Sequence, residues 1–188
     1  MITTPRLLLR SLTMADARLT GALGSDPEAQ RWLGWSPEDL VAEDERDRLL
    51  SAPATGGRAR FGLPSRCVQT GMLAIDPERG TVAGTLMLTP RSADLCELGG
   101  YLAPAYRGRG LGAELFAAGL ALAQLHLRIT EVRAGAEPEN LACVRSLWRA
   151  GFDPAAGPET HVLPDGRVIP SAWFSVVEPE PARCPSGW

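Results

Sequence analysis

Arg107, Gly108, Arg109, Gly110, Leu111 and Gly112 put three glycines and two guanidiniums into six consecutive residues, just ahead of a helical pattern that begins near Leu111. Glycine adopts backbone angles that other residues avoid and lets amides approach a ligand closely. Free N–H groups at a helix N-terminus, with the helix dipole behind them, favour a negative charge. The segment therefore predicts an anion site, and phosphate is the anion that such a loop suits. Leu95, Leu98, Tyr101 and Leu102 precede it as an apolar, β-compatible run that Pro104 stops, so the loop joins a strand to a helix.

Spacing separates three phosphate-binding motifs. A P-loop needs Lys and then Ser or Thr after its last glycine, whereas Ala113 and Glu114 follow Gly112. Gly108, Gly110 and Ala113 do match the dinucleotide pattern G-x-G-x-x-A. That pattern normally opens its domain on the first strand, and too little chain follows Gly112 for a doubly wound domain at roughly 30 residues per βαβ unit. The third motif is R-x-x-G-x-G, Arg107 to Gly112, set between a strand and a helix. A second block follows it: Asn140 opens a helical segment that carries Cys143, Arg145 and Leu147 and ends in Gly151-Phe152.

These two blocks, in this order and at this separation, resemble the GNAT superfamily of N-acyltransferases. With the N-terminal TPRLLLRSLTMADA, the resemblance spans residues 3–177 and is closest to the ribosomal-protein N-terminal acetyltransferase branch. It implies an α/β (α+β) fold: a mixed, mostly antiparallel sheet of six or seven strands, flanked by about four helices and splayed at the cofactor site. It implies acetyl-CoA as co-substrate and transfer of the acetyl group to a primary amine, by direct attack in a ternary complex. The loop amides would hold the coenzyme pyrophosphate, with the backbone of Leu102 and its neighbours and Asn140 along the pantetheine arm, and Arg145 on the same helix. The acceptor could be a small amine or a protein N-terminus. A non-catalytic acyl-CoA-binding module on the same fold is the alternative.

Each of these residues has a plainer account. Arg107 and Arg109 can face phosphate oxygens or be solvated surface arginines. Asn140 can touch the coenzyme or simply cap its helix. Glu97 is the candidate base, on a strand expected to be buried on both faces, where an unpaired carboxylate gains a useful pKa; Asp94 is the reserve. The plain account pairs Glu97 with an arginine of a neighbouring element. Many superfamily members carry a Tyr four residues before Gly-Phe as the thiolate's acid, and here that position is Leu147. The thiolate then leaves unaided, or Tyr101 or Ser146 supplies the proton. Cys143 could carry an acyl group, although no histidine is placed to activate it and a small buried Cys is the ordinary case. His161 is an acceptor-side group or a hydrogen-bonded strand histidine. Trp32 and Trp35 either cover the core or line the acceptor pocket.

The elements that must position these groups follow from periodicity and punctuation. Arg6 to Arg10 predicts a first strand, and Thr13 with Asp16 a capping box for a helix to about Leu23, broken by Asp26-Pro27. Ser36-Pro37-Glu38-Asp39 predicts a second helix, to about Leu50. Ser51 to Ser65 is a Gly, Pro and Ala loop. Strands are expected at Cys67–Ile75, Thr81–Leu88 and Asp94–Leu102, a helix from Leu111 to about Leu127, a strand at Glu131–Glu137 and a helix from Asn140 to Gly151. Thr160–Leu163 and Ala172–Val177 are expected to form a closing hairpin. Residues 1–177 make one domain, and the Pro-rich 178–188 carries too little apolar surface to pack.

Composition agrees with an ordinary globular domain: 188 residues, 45% apolar and 22% charged. A net charge of −3 offers no basic surface for nucleic acid. No signal-peptide h-region or membrane-length apolar run is present, so a cytoplasmic protein is expected, monomer or homodimer, with acyl-CoA and an amine as its partners. Cys67, Cys96, Cys143 and Cys184 form no C-x-x-C pair and only two histidines occur, which predicts neither a disulfide framework nor a metal site.

Overall fold

The computed structural model describes residues 1–54 and 69–178. Eight strands form one sheet, in the spatial order β1 (Ile2–Thr3), β2 (Leu8–Ser11), β3 (Thr70–Ile75), β4 (Val82–Pro90), β5 (Leu95–Leu102), β6 (Glu131–Ala136), β10 (Ala172–Val177) and β7 (Asp153–Ala155). Two short strands, β8 (Thr160–Val162) and β9 (Val168–Pro170), pair separately. All neighbours in the large sheet are antiparallel except β5 and β6. Those two are joined by the helix α4 (Leu111–Ala121), and a helical crossover is what parallel strands require. The mostly antiparallel mixed sheet is the one expected, with more strands than the six or seven anticipated.

Among the described residues there are five α-helices, where about four were expected: α1 (Ala17–Gly24), α2 (Pro27–Leu33), α3 (Glu43–Ser51), α4 and α5 (Leu141–Arg149). Thr13 and Asp16 form the expected capping box, which leads through a 3-10 turn into α1. Asp26-Pro27 does more than break a helix. Asp26 Oδ1 accepts the Ala29 amide and Pro27 occupies the first helical position, so α2 starts there. The helix expected from Ser36 shrinks to one 3-10 turn, Pro37–Asp39, because Ser36 makes no side-chain cap and Leu40 is extended; α3 begins only at Glu43. The closing hairpin is also redrawn. Thr160–Val162 pairs with Val168–Pro170, while Ala172–Val177 lies in the main sheet between β6 and β7. The unforeseen β7 contains Pro154, which an edge strand tolerates. The Gly, Pro and Ala loop and the Pro-rich tail fall largely outside the described residues.

Helix α4 packs on one face of the sheet, where an added Cβ at Gly119 would come within 2.7 Å of Leu98 and 2.9 Å of Leu86. Leu86, Leu98, Leu115, Phe116, Val132, Leu147 and Phe152 fill this layer and are buried. The opposite face meets α1: the Tyr101 hydroxyl donates to the Thr20 carbonyl oxygen at 3.2 Å. Alternation along β5 thus sends Leu98 to the α4 side and Glu97, Gly99 and Tyr101 to the α1 side. Among the described residues no helix is long and apolar enough to cross a membrane, and no group of three His, Cys, Asp or Glu side chains is placed to hold a metal ion.

Candidate functional site

Strands β5 and β6 pair only through Leu95–Glu97 and Glu131–Arg133 and then part. A cleft of about 900 Å³ opens at that point, between the C-terminal half of β5 and Ala134–Ala136 of β6. β5 stays paired to β4 as far as Leu102, so a single edge of it is open. The N–H and C=O groups on that edge need partners, and a ligand in the cleft can provide them.

The glycine loop closes one end of the cleft. Gly108 (φ +71°) and Gly110 (φ +75°) both hold left-handed backbone. An added Cβ at Gly108 would meet nothing within 4 Å, and one at Gly110 only Arg6 Nη2 at 3.9 Å, so open space lies over the loop. Gly110 caps α4 without a side chain, which leaves the first amides of that helix with no side-chain partner. This arrangement fits a phosphate. Glu114 in the first turn would oppose one, but its carboxylate is drawn off toward β1 and β2: it accepts from Thr4 Oγ1 (2.6 Å), the Arg6 amide (2.8 Å) and Arg6 Nε (2.7 Å). Arg6 also donates to the Arg109 carbonyl at 2.8 Å and so steadies the loop. Gly112 is small for a different reason, since a Cβ there would lie 2.6 Å from Ser146 Oγ on α5.

The two loop arginines are not arranged as the motif suggests. The Arg107 guanidinium is spent inside the protein: Nη1 and Nη2 donate to Asp26 at 2.7 and 2.6 Å, Nη1 also to Glu28 at 3.2 Å, and Nε to the Leu102 carbonyl at 3.0 Å. It ties the end of β5 to the start of α2, and it occupies one backbone group of Leu102 expected to face the coenzyme arm. Burial pushes the Asp26 carboxyl up, but Arg107 and the Ala29 amide outweigh this and hold it below its ordinary value. Arg109, expected at the phosphate, is exposed, its guanidinium lies 5.6 Å from the Tyr106 ring centre, and it is not among the residues that line the cleft.

The cleft brings together Glu97, Tyr101, Leu102, Arg107, Gly108, Gly110, Leu111, Gly112, Asn140, Arg145 and Trp32. Glu97 is half-exposed rather than doubly buried and takes a 2.5 Å ion pair from Arg91, the arginine pairing of its plainer account. Tyr101 is no free acid: its proton is directed at Thr20, and burial pushes its pKa well above that of an ordinary tyrosine. Asn140 Oδ1 caps α5 by accepting the Cys143 amide at 3.1 Å. Arg145 is exposed on α5, with no ion pair among the described residues. Trp32 faces the cleft with Arg31 stacked on its ring at 4.4 Å. Trp35 does not line it; its ring packs over Gly24 and meets Tyr101 edge-on at 5.5 Å. Cys143 lines the cleft, but burial lifts its thiol to about 11, so it is no nucleophile at neutral pH. Leu147, where a tyrosine is common, is fully buried.

A family model described as the acetyltransferase (GNAT) domain matches residues 6–153. The chain belongs to the GNAT acetyltransferase family. Solved structures agree with this fold. A GNAT-family acetyltransferase from Bacillus anthracis is 16% identical with a TM-score of 0.69, covering 95% of this chain and 99% of its own. Spermidine N-acetyltransferase from Vibrio cholerae, in complex with CoA and spermine, is 16% identical with a TM-score of 0.70, at 94% and 98% coverage. The ribosomal-protein alpha-N-acetyltransferase RimL, in complex with coenzyme A, is 14% identical with a TM-score of 0.69, at 93% and 96% coverage. Among curated proteins no sequence matches the chain.

In this GNAT domain, several contributors to the cleft are not evident from the motif blocks. Asp26 and Glu28 hold Arg107, Arg91 reaches Glu97 from the β4–β5 turn, and Trp173 lines the cleft from β10. Asp26-Pro27-Glu28 did carry a legible helix-start signal. The pairing partners of Arg107 and Glu97 had none.

Proposed function

We propose that the protein is an acetyl-CoA-dependent N-acetyltransferase that transfers the acetyl group to a primary amine by direct attack in a ternary complex. One observation carries this: the open glycine loop and uncapped start of α4 meet, in a single cleft, the strand edge freed where β5 leaves β6. Amides of the Gly108–Gly112 segment bind the pyrophosphate. The open edge of β5 binds the pantetheine amides in strand fashion and offers an N–H to the developing oxyanion. Glu97 takes the amine proton, directly or through water, while Arg91 holds its carboxylate. As the amine nitrogen bonds to the acetyl carbon, the C–S bond breaks and the thiolate leaves. Tyr101 is committed to Thr20, the Ser146 hydroxyl donates to the Ala142 carbonyl at 2.8 Å and Leu147 has no proton to give, so solvent reprotonates the thiolate, which a thiol of ordinary pKa near 8.5 permits. The names of the spermidine and ribosomal-protein enzymes among the structural neighbours support an amine acceptor, small or N-terminal.

Thiol release from acetyl-CoA should require an added amine and match acetylated product one to one. Coenzyme binding with no thiol release across a broad amine panel would instead mean an acyl-CoA-binding module, the role that Leu147 and the engaged Tyr101 favour.

A further inference from the structure

We infer that the acceptor is an amine carried on a flat aromatic body; this rests on the acetyltransferase function proposed above. The floor of the acceptor side is the sheet face opposite α4. Registers Glu97↔Arg133 and Gly135↔Trp173 set Glu97, Gly99, Gly135 and Trp173 on that one face. Gly99 leaves part of it bare, since an added Cβ there would meet nothing within 4 Å, and it holds no positive φ that would require glycine. Beside it the Trp173 ring lies over Gly135, at 3.4 Å from where a Cβ would stand, and makes an aromatic surface on the same face.

The roof is apolar and fastened as a unit. Trp32 reaches the cleft from α2, and Leu163 and Ile169 reach it from the β8–β9 hairpin. That hairpin is pinned to the end of α2: the Asp165 amide donates to the Gly34 carbonyl at 2.7 Å, and Arg167 donates to the carbonyls of Arg31 and Gln30 at 3.1 and 2.9 Å. A cleft lined by two indoles, Leu163 and Ile169, with open space over Gly99, suits an aromatic ring.

The test is steady-state thiol release at saturating acetyl-CoA with 2-phenylethylamine, spermidine and a short peptide bearing an N-terminal serine. We expect kcat/KM for 2-phenylethylamine to exceed both others by ~10- to 100-fold. Gly99→Leu, which enters open space at an ordinary φ, should raise the KM for 2-phenylethylamine about tenfold or more and leave the acetyl-CoA Kd unchanged. Calorimetric binding of 2-phenylethylamine to the desulfo-CoA complex, weakened by the same substitution, reports on the slot without turnover. Faster turnover of spermidine or of the peptide, or an unaltered KM and Kd in Gly99→Leu, would overturn the assignment. Ring binding without thiol release from any amine would keep the slot and sink only the transfer function.

Discussion

On the α4 side the wall of the cleft is backbone: Gly108 and Gly110 hold φ +71° and +75°, and the first amides of α4 carry no side-chain cap. On the α2 side the cleft is made by side chains from segments far apart in the chain, Trp32 from α2, Leu163 and Ile169 from a hairpin, Trp173 from β10. The first wall is local and depends on conformational freedom within six residues. The second is an assembly that depends on fastenings, of which Arg107 to Asp26 and Arg167 to the end of α2 are the most connected. A wall of backbone suits a ligand part that stays the same, and a wall of side chains one that varies, which is the division proposed above for the coenzyme and the acceptor.

The two walls should fail differently. Gly110→Asp places a carboxylate over the helix start and a side chain at φ +75°; acetyl-CoA affinity should fall by about 1,000-fold or more, read by calorimetry, with the fold retained at a cost of ~1–2 kcal/mol. Glu97→Gln should lower kcat by ~100-fold and leave the coenzyme Kd within about twofold. Normal turnover across pH would remove Glu97 from the mechanism. Arg107→Leu should act through stability instead. It strands Asp26, whose side chain is 9% exposed, and because Arg107 itself is 24% exposed the loss should be about 2–3 kcal/mol, at or below the lower end for a buried pair, seen by urea unfolding.

Gly112→Ala would push a methyl group toward Ser146 Oγ, 2.6 Å from the new Cβ, and should destabilise by about 1–2 kcal/mol. Adding Ser146→Gly should recover part of that loss, and an additive double variant would contradict the contact. The smallest effect is on acid stability. Asp16 and Asp26 both titrate below their ordinary value, Asp16 through its hydrogen bond to Arg10 and Asp26 through Arg107 and the Ala29 amide despite its burial. A depressed folded pKa gives stability that is full above the unfolded value of about 3.9 and lost as pH falls through the folded one, so the melting temperature should drop mainly below about pH 4. Arg10→Gln should soften that drop.

The same division explains what could be read from the chain beforehand. The strand, loop and helix from Leu95 to Ala121 are contiguous, and each boundary is marked by Pro104 or a glycine, so the loop stands where the motif put it. Capping letters were visible at both Asp26-Pro27-Glu28 and Ser36-Pro37-Glu38, yet only the first begins an α-helix, because Asp26 bonds Ala29 and Arg107 holds it there. No local pattern distinguishes a cap that tertiary contacts reinforce from one they leave as a single turn. Arg107 is the sharpest case: the motif position is as expected, but its guanidinium serves Asp26, a partner 81 residues away in the chain. Trp32 reaches the cleft while Trp35, three residues on, turns under α1, a difference set by Gly24 and Tyr101.

The most direct test is the shift in melting temperature with acetyl-CoA, desulfo-CoA and NAD, measured in parallel on the native protein and on Gly110→Asp. If the glycine loop binds coenzyme A, both coenzyme A species should raise the melting temperature of the native protein, NAD should not, and the variant should respond to none of them. A rise with NAD alone, or an undiminished response to coenzyme A in Gly110→Asp, would contradict it.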